Sequence, residues 1–331
     1  MHLSIAFDGS TPIPATLPVV DAAEDAGLDR VWSAEHVGLN DAVVPSSQYL
    51  ARTRRLGVGL IGCNPDTRHP GLLAMELASL ASIAAGRVRV QVGTGDPTLA
   101  RLIGVRQLAP PLENVEALVT SLRDLLAGKR VAHEAPTFTL DGLQLRACEE
   151  PPKIDIMAIR PKMLALAARV GDGVALSAGA STTYLSRAVS AIEDHLGAAG
   201  RDRQSFAINA VVIGAVREDL DAARHHAAKL LAFSPHAMAE ILADGEVSLP
   251  DPDEVRTAMA ERGPSAAGEL FAAETIDALA LTATPASLGD ALARYSSTGI
   301  DELTVMLSGN PSAHVETVGW LAEARTRAVA L

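Results

Sequence analysis

Short apolar runs alternate with longer stretches of helical spacing along nearly the whole chain. LSIAF (3–7) is an apolar run stopped by Asp8-Gly9, and residues 16–27 then set Leu17, Val20, Ala23 and Ala26 on one helical face closed by Gly27. RVWSAEH (30–36) and RLGVGLIG (55–62) predict a second and a third strand. Leu72, Leu73, Met75, Leu77 and Leu80 predict a helix over 70–85 that ends at Gly86, and RVRVQVGTG (87–95) is a fourth strand. A helix over 111–127 ends at Gly128, and a polar, irregular stretch from 129 to 152 leads to the strand IDIMAI (154–159). Helix 161–170, strand GVALSAG (173–179), helix 182–199 and strand FAINAVVIGAV (206–216) continue the series.

Residues 217–282 keep a helical pattern broken by GEVSLPDPDE and ERGPSAAGE, so they predict a helical insertion. Alternation resumes with helix 285–298, strand ELTVML (302–307) and a closing helix over 312–329. Eight strand–helix steps with strands rich in Val and Ile predict an α/β fold: a (β/α)8 TIM barrel with the helical insertion after strand seven. The chain then forms one domain over 1–331, with insertions at about 128–152 and 217–282. A doubly wound open sheet fits less well, because GTGDPT (93–98) lacks the third glycine of the dinucleotide fingerprint.

Composition narrows the chemistry. Apolar residues make up 48% of the chain and aromatic ones only 3%, so the core has to be assembled from Ala, Val, Leu and Ile. The formal charge is −12 with no basic cluster, which argues against nucleic acid and anionic membrane as partners. Cys63 and Cys148 are too few for a disulfide framework. His133, His195, His225, His226 and His236 have no partners at metal-ligand spacing, so no metal site is expected. MHLSIAFDGS lacks a basic leader, and no stretch approaches the roughly 18 apolar residues that cross a bilayer, so a soluble, cytoplasmic protein is expected. The hydrolase and triphosphatase motifs GxSxG, HExxH and GxxxxGK[ST] do not occur.

In a barrel, function gathers where strands run into loops at their C-terminal ends. The residues there are Asp8, Glu35-His36, Gly62 to His69, Gly93 to Asp96, Arg160 and Ser177 to Ser181. Glu35 and His36 offer a proton-handling pair near neutral pH, or a solvated loop pair. Asp96, between Gly95 and Pro97, is placed to cap a helix, while Gly93 and Gly95 leave room for a ligand to approach the backbone. SAGAS (177–181) joins a strand to a helix through small residues, which suits either a phosphate at a helix N-terminus or an ordinary loop.

The segments AGLDRVWSAEH, TRRLGVGLIGCNPDTRHP, LASIAAGRVRVQVGTGDP, PKMLALAARVGDGVALSAGAS and TPASLGDALARYSSTGIDELTVML, in this order, resemble the luciferase-like monooxygenase superfamily. Within it, the chain is similar to the branch that uses coenzyme F420 and includes methylenetetrahydromethanopterin reductase. The resemblance runs from residue 1 to about 310, with 128–152 and 217–282 outside it. It implies an interrupted TIM barrel, a homodimer, and a flavin or deazaflavin at the C-terminal mouth. The stretch matching Ile61, Gly62, Cys63 and Asn64 then forms a bulge with a non-prolyl cis peptide at Ile61–Gly62, against one face of the ring. The turn chemistry after this strand is explained the same way: backbone without bulky side chains can lie flat against a ring.

By the same resemblance, His36 lies with Glu35 near the carbonyl and hydroxyl edge of the ring, and Asp96, with Gly93, Thr94 and Gly95, is an acidic position at the cofactor. Gly179, Ala180 and Ser181 hold the phosphate, Ser177 and Ala178 also belong to the cofactor site, and Arg160 or Lys162 meets the phosphate or the oligoglutamate tail. Asp96 and His36 are the candidate catalytic proton donors. Two positions depart from the pattern: Ala6 stands where the methanopterin reductases carry a carboxylate, and Arg160 where relatives often have glycine. The expectation is an F420-dependent oxidoreductase that transfers a hydride between a deazaflavin and a small organic substrate. An FMN-dependent monooxygenase, or an inactive barrel serving as a binding or scaffold protein, are the alternatives.

Overall fold

The computed structural model describes residues 1–105, 110–177, 179–233 and 247–329. Its strands, in chain order, are β1 (His2–Phe7), β2 (Arg30–Ala34), β3 (Gly57–Cys63), β4 (Val88–Val92), β5 (Arg130–Glu134), β6 (Thr139–Gln144), β7 (Lys153–Met157), β8 (Gly173–Leu176), β9 (Ala207–Val216), β10 (Leu281–Ala283) and β11 (Glu302–Leu307). Parallel pairing runs β11-β1-β2-β3-β4-β7-β8, and β9 joins β8 to β11, so eight strands close on themselves. This is the expected TIM barrel.

The described helices are α1 (Ile13–Asp25), α2 (Val43–Arg52), α3 (Pro70–Ile83), α4 (Pro97–Leu102), α5 (Pro111–Leu126), α6 (Pro161–Val170), α7 (Thr182–Ala198), α8 (Leu220–Leu231), α9 (Pro252–Arg262), α10 (Pro264–Gly268), α11 (Ala273–Leu279), α12 (Leu288–Ser296) and α13 (Pro311–Val329). None is long and apolar enough to cross a membrane.

Each barrel strand sends alternate side chains outward to the helices and inward to the axis. In β1, Leu3, Ile5 and Phe7 join the large outer core, while Ser4 and Ala6 face in. Each fully buried Leu, Ile or Val contributes about 1.5–3 kcal/mol, and the outer core is built largely from them. The inward residues stack in layers set by the register. Lowest are Arg30, Arg89 and Glu302; then Ser4, Gly59, Asp155 and Asn209; then Trp32, Gln91, Ala175 and Thr304; then Ala6, Ile61, Met157 and Val211.

The lower layers are polar and include charged pairs. Arg89 binds Asp155, Arg30 lies 3.8 Å from Glu302, and the Trp32 indole Nε1 donates to Glu302 at 3.0 Å. Trp32 fills the space over Gly59, where a Cβ would come within 2.0 Å of the indole, so β3 needs glycine there. The upper layer is apolar and forms the floor of the mouth.

Several details differ from the sequence reading. The segment 129–152 is not irregular: β5 and β6 pair as an antiparallel hairpin outside the barrel, with Phe138 at its tip edge-on to His69 and His133. Its strands carry few buried residues, so they lack an apolar pattern. Helices α2 and α4 were not predicted; Pro45 and Ser46 fill buried positions of α2 without any hydrophobic signal. The fourth strand stops at Val92 and the sixth at Leu176, leaving Gly93 to Gly95 and Ser177 in loops. The insertion carries helices as expected, but also β10, which pairs with the end of β9.

Candidate active site

A cavity of about 320 Å³ opens at the C-terminal ends of β2, β3, β4, β7 and β8. Its wall includes Ala34, Glu35, His36, Ile61, Gly62, Asn64, Gly93 to Asp96, Met157 to Ile159 and Ser177. The ledge on one side is main chain. β3 bulges between Ile61 and Cys63, and Gly62 adopts φ +93°, a region that disfavours any side chain. A Cβ on Gly62 would stand 3.1 Å from the Glu35 carbonyl oxygen, so the two backbones are in contact.

The loop after β2 is held on both sides. Glu35 N–H donates to the Ile61 carbonyl at 2.8 Å, and its carboxylate is turned to Arg68, which donates from Nε and Nη2 at 2.9 and 2.5 Å. Arg68 also donates from Nη1 to Glu76 at 2.8 Å. Burial raises the Glu76 carboxyl above its ordinary range despite the pull of Arg68. His36 is half-buried, and its Nδ1 lies 2.7 Å from the carbonyl oxygen of Asp8, the residue just after β1. Asp8 in turn accepts from the Ser308 hydroxyl at 2.8 Å, which joins the ends of β1 and β11.

Opposite, Gly93 N–H donates to the Cys63 carbonyl at 3.0 Å, extending the sheet one bond past β4. Gly95, at φ +70°, packs where a Cβ would meet the Asn64 side chain at 2.8 Å. Asn64 is itself fixed, accepting from the N–H groups of Asp66 and Thr67 at 3.1 Å each. Asp96 immediately precedes α4 and its carbonyl accepts from Ala100, while its exposed side chain lines the cavity. Asp96 therefore sits both at the start of α4 and at the cavity.

The remaining candidates divide. Ser177 lines the cavity, and Gly179 takes φ +74°. The Ser181 hydroxyl accepts from Tyr184 N–H as the N-cap of α7, and Ala180 is buried in the outer core. Ala178 lies outside the described residues, as does His236. Arg160 is exposed at the N-cap of α6, beyond the cavity wall. Cys63 points outward into the core, and burial pushes its thiol well above the ordinary range, so only its main chain serves the mouth. Sequence reasoning missed Met157, Ala158 and Ile159; the period-2 pattern of IDIM, which aims Met157 inward at a strand end, was the available signal.

The arrangement offers a flat backbone ledge, an apolar floor of Ile61 and Met157, and two groups able to handle a proton, His36 and Asp96. Among the described residues, no cluster of His, Cys, Asp or Glu could hold a metal ion.

Comparison with known proteins gives the following. The family model for luciferase-like monooxygenase matches residues 4–302. The chain is 31% identical over 214 residues to a 5,10-methylenetetrahydromethanopterin reductase of Archaeoglobus fulgidus, covering 65% of this chain and 64% of that protein, just under two thirds. It is 30% identical over 260 residues to an F420-dependent hydroxymycolic acid dehydrogenase of Mycobacterium tuberculosis, covering 73% and 67%. Among solved structures, the coenzyme F420-dependent tetrahydromethanopterin reductase of Methanopyrus kandleri superposes with a TM-score of 0.80 at 20% identity, over 96% of this chain and 98% of that one, and so shares the fold.

Proposed function

Because the chain belongs to the luciferase-like monooxygenase family, we propose that it is an F420-dependent oxidoreductase acting on a small organic substrate. The observation that carries this reading is the side-chain-free ledge at Gly62, set against a cavity whose volume suits a flat ring. The residues present fit that group: Gly62 and Gly93 put no side chain on the cavity wall, and because a Cβ would meet the Glu35 carbonyl at Gly62 and Met157 at Gly93, at 3.1 Å in each case, glycine also lets these segments pack closely. The relative named for F420 supports the same choice.

A bound deazaflavin supplies a carbon that accepts or gives a hydride. The protein's part is to orient, to dry the site and to move a proton. Ile61 and Met157 make the floor apolar, Gly62 and Gly93 let the backbone lie against the ring, and Ser177 stands at the phosphate end. His36 takes the substrate proton in the oxidising direction and returns it in the other, with Asp96 as the second proton-handling group. Arg160 and Lys162, at the start of α6, meet the anionic arm.

The chain acts as a homodimer in this reading. Leu39, Val44, Leu72, Met75 and Ile103 are exposed apolar residues of α2, α3 and nearby loops, and Leu39, Leu72 and Ile103 line one shallow depression, which supports a contact with a second copy. Cys63 and Cys148 are both free thiols, which supports a cytoplasmic location.

Titration of the purified chain with F420 and with FMN tests the cofactor. Preference for F420 is expected. Preference for FMN overturns the choice in favour of a monooxygenase, and binding of neither by a folded barrel points to the scaffold reading.

A further inference from the structure

Arg68 joins the two loops that wall the cavity. It lies on the loop after β3, anchored by its own N–H to the Asn64 carbonyl at 3.0 Å, and its guanidinium reaches Glu35 on the loop after β2. The Arg68 and Glu35 side chains are 17% and 14% exposed, so the pair is shielded from solvent, whereas Glu76 is 30% exposed. A shielded, two-point guanidinium–carboxylate contact is directional as well as strong. What it holds matters more than the pair itself. The Glu35 main chain donates to Ile61 and presents its carbonyl to Gly62, so it forms the back of the ledge.

One guanidinium cannot neutralise two carboxylates. Of the two, Glu76 is the more exposed, and it takes only Nη1. The Arg68 fork is divided accordingly: Nε and Nη2 go to Glu35, and Nη1 to Glu76.

We propose that Arg68 is a positioning residue for the cavity: by gripping Glu35 it fixes the Glu35 main chain against Gly62, and so sets the ledge under the ring, while Glu76 only orients the guanidinium. This rests on the deazaflavin reading of the cavity.

The test compares Glu35→Gln, Arg68→Lys and Glu76→Gln in the full chain. Two readouts are needed: hydrogen exchange at the Glu35 amide without ligand, and F420 affinity by fluorescence titration. Glu35→Gln and Arg68→Lys are expected to speed exchange at that amide, and to weaken F420, by about tenfold each, with Glu76→Gln within about twofold of wild type on both. Should Arg68→Lys fail to fold, Glu35→Gln, which keeps the size and a hydrogen-bonding oxygen, carries the comparison. Unchanged exchange in Glu35→Gln overturns the clamp whether or not F420 binds, as does a Glu76→Gln variant that behaves like Glu35→Gln. A wild type with no F420 affinity overturns the cofactor reading instead, so the two failures are distinguishable.

Discussion

His36 donates from Nδ1 to the main-chain carbonyl of Asp8 across 2.7 Å. A carbonyl oxygen only accepts, so Nδ1 carries the hydrogen and the neutral ring keeps its lone pair on Nε2. His36 is thereby prepared to receive a proton at one stated atom, and the main chain just after β1 guards the tautomer.

Replacing His36 by Gln removes that lone pair without opening a large hole. Turnover should drop by about 10²–10⁴-fold, the range for a general acid–base group, with F420 affinity changed far less. Steady-state kinetics beside a fluorescence titration separates the two, and an unaltered kcat removes His36 from the chemistry.

Asp96→Asn keeps the shape of the loop before α4 and deletes the charge. Turnover should decline much more than cofactor affinity. If affinity falls and turnover per bound complex does not, Asp96 is a binding group only.

Gly62→Ala brings together two penalties, a side chain at φ +93° and a Cβ 3.1 Å from the Glu35 oxygen. We expect a loss of about 1–3 kcal/mol in urea unfolding, together with weaker F420 binding. A wild-type midpoint would mean that the bulge relaxes freely.

Burial, with Arg217 and Lys229 nearby, pushes the His226 imidazole down to about 4, and His314 is lowered by burial too. A folded-state value below the unfolded one means that the unfolded chain binds the proton first. Stability is therefore full above about pH 6.5 and is lost as pH falls toward 4. His226→Leu should flatten that slope by up to about 1.4 kcal/mol per pH unit, measured by urea titration at several pH values.

Leu72 and Met75, 60% and 51% exposed, mark the face assigned to the dimer. The double variant Leu72→Glu/Met75→Glu should be monomeric by light scattering where the wild type is dimeric. A monomeric wild type would falsify the assignment.

Much of this was legible in the sequence because the barrel repeats one simple rule. The apolar runs LSIAF and IDIMAI marked strands, and Gly27, Gly86 and Gly128 marked the ends of the intervening helices to within three residues. The hairpin was invisible for the opposite reason: RVAHE and TLDGLQ bury little beyond Val131 and Leu140, so nothing in their pattern distinguishes them from a loop. At the site, the sequence located the loops but not the direction of their side chains. Glu35 and Arg68 are 33 positions apart, and no local pattern says that they meet. Nor does SAGAS reveal that Ser181 is already committed to capping α7.

Trp32 belongs to two neighbourhoods at once. Its ring faces the Arg30 guanidinium below it, at 5.4 Å from guanidinium carbon to centroid, and its Nε1 is tied to Glu302, yet it packs with Ala34 and Ile61 under the mouth. Loss of the indole would loosen the ionic base and the apolar ceiling together. A scaffold wired this way has little freedom to acquire a new specificity from below. Adaptation is channelled to the rim, where loops can lengthen or trade residues while the trunk beneath them stays as it is.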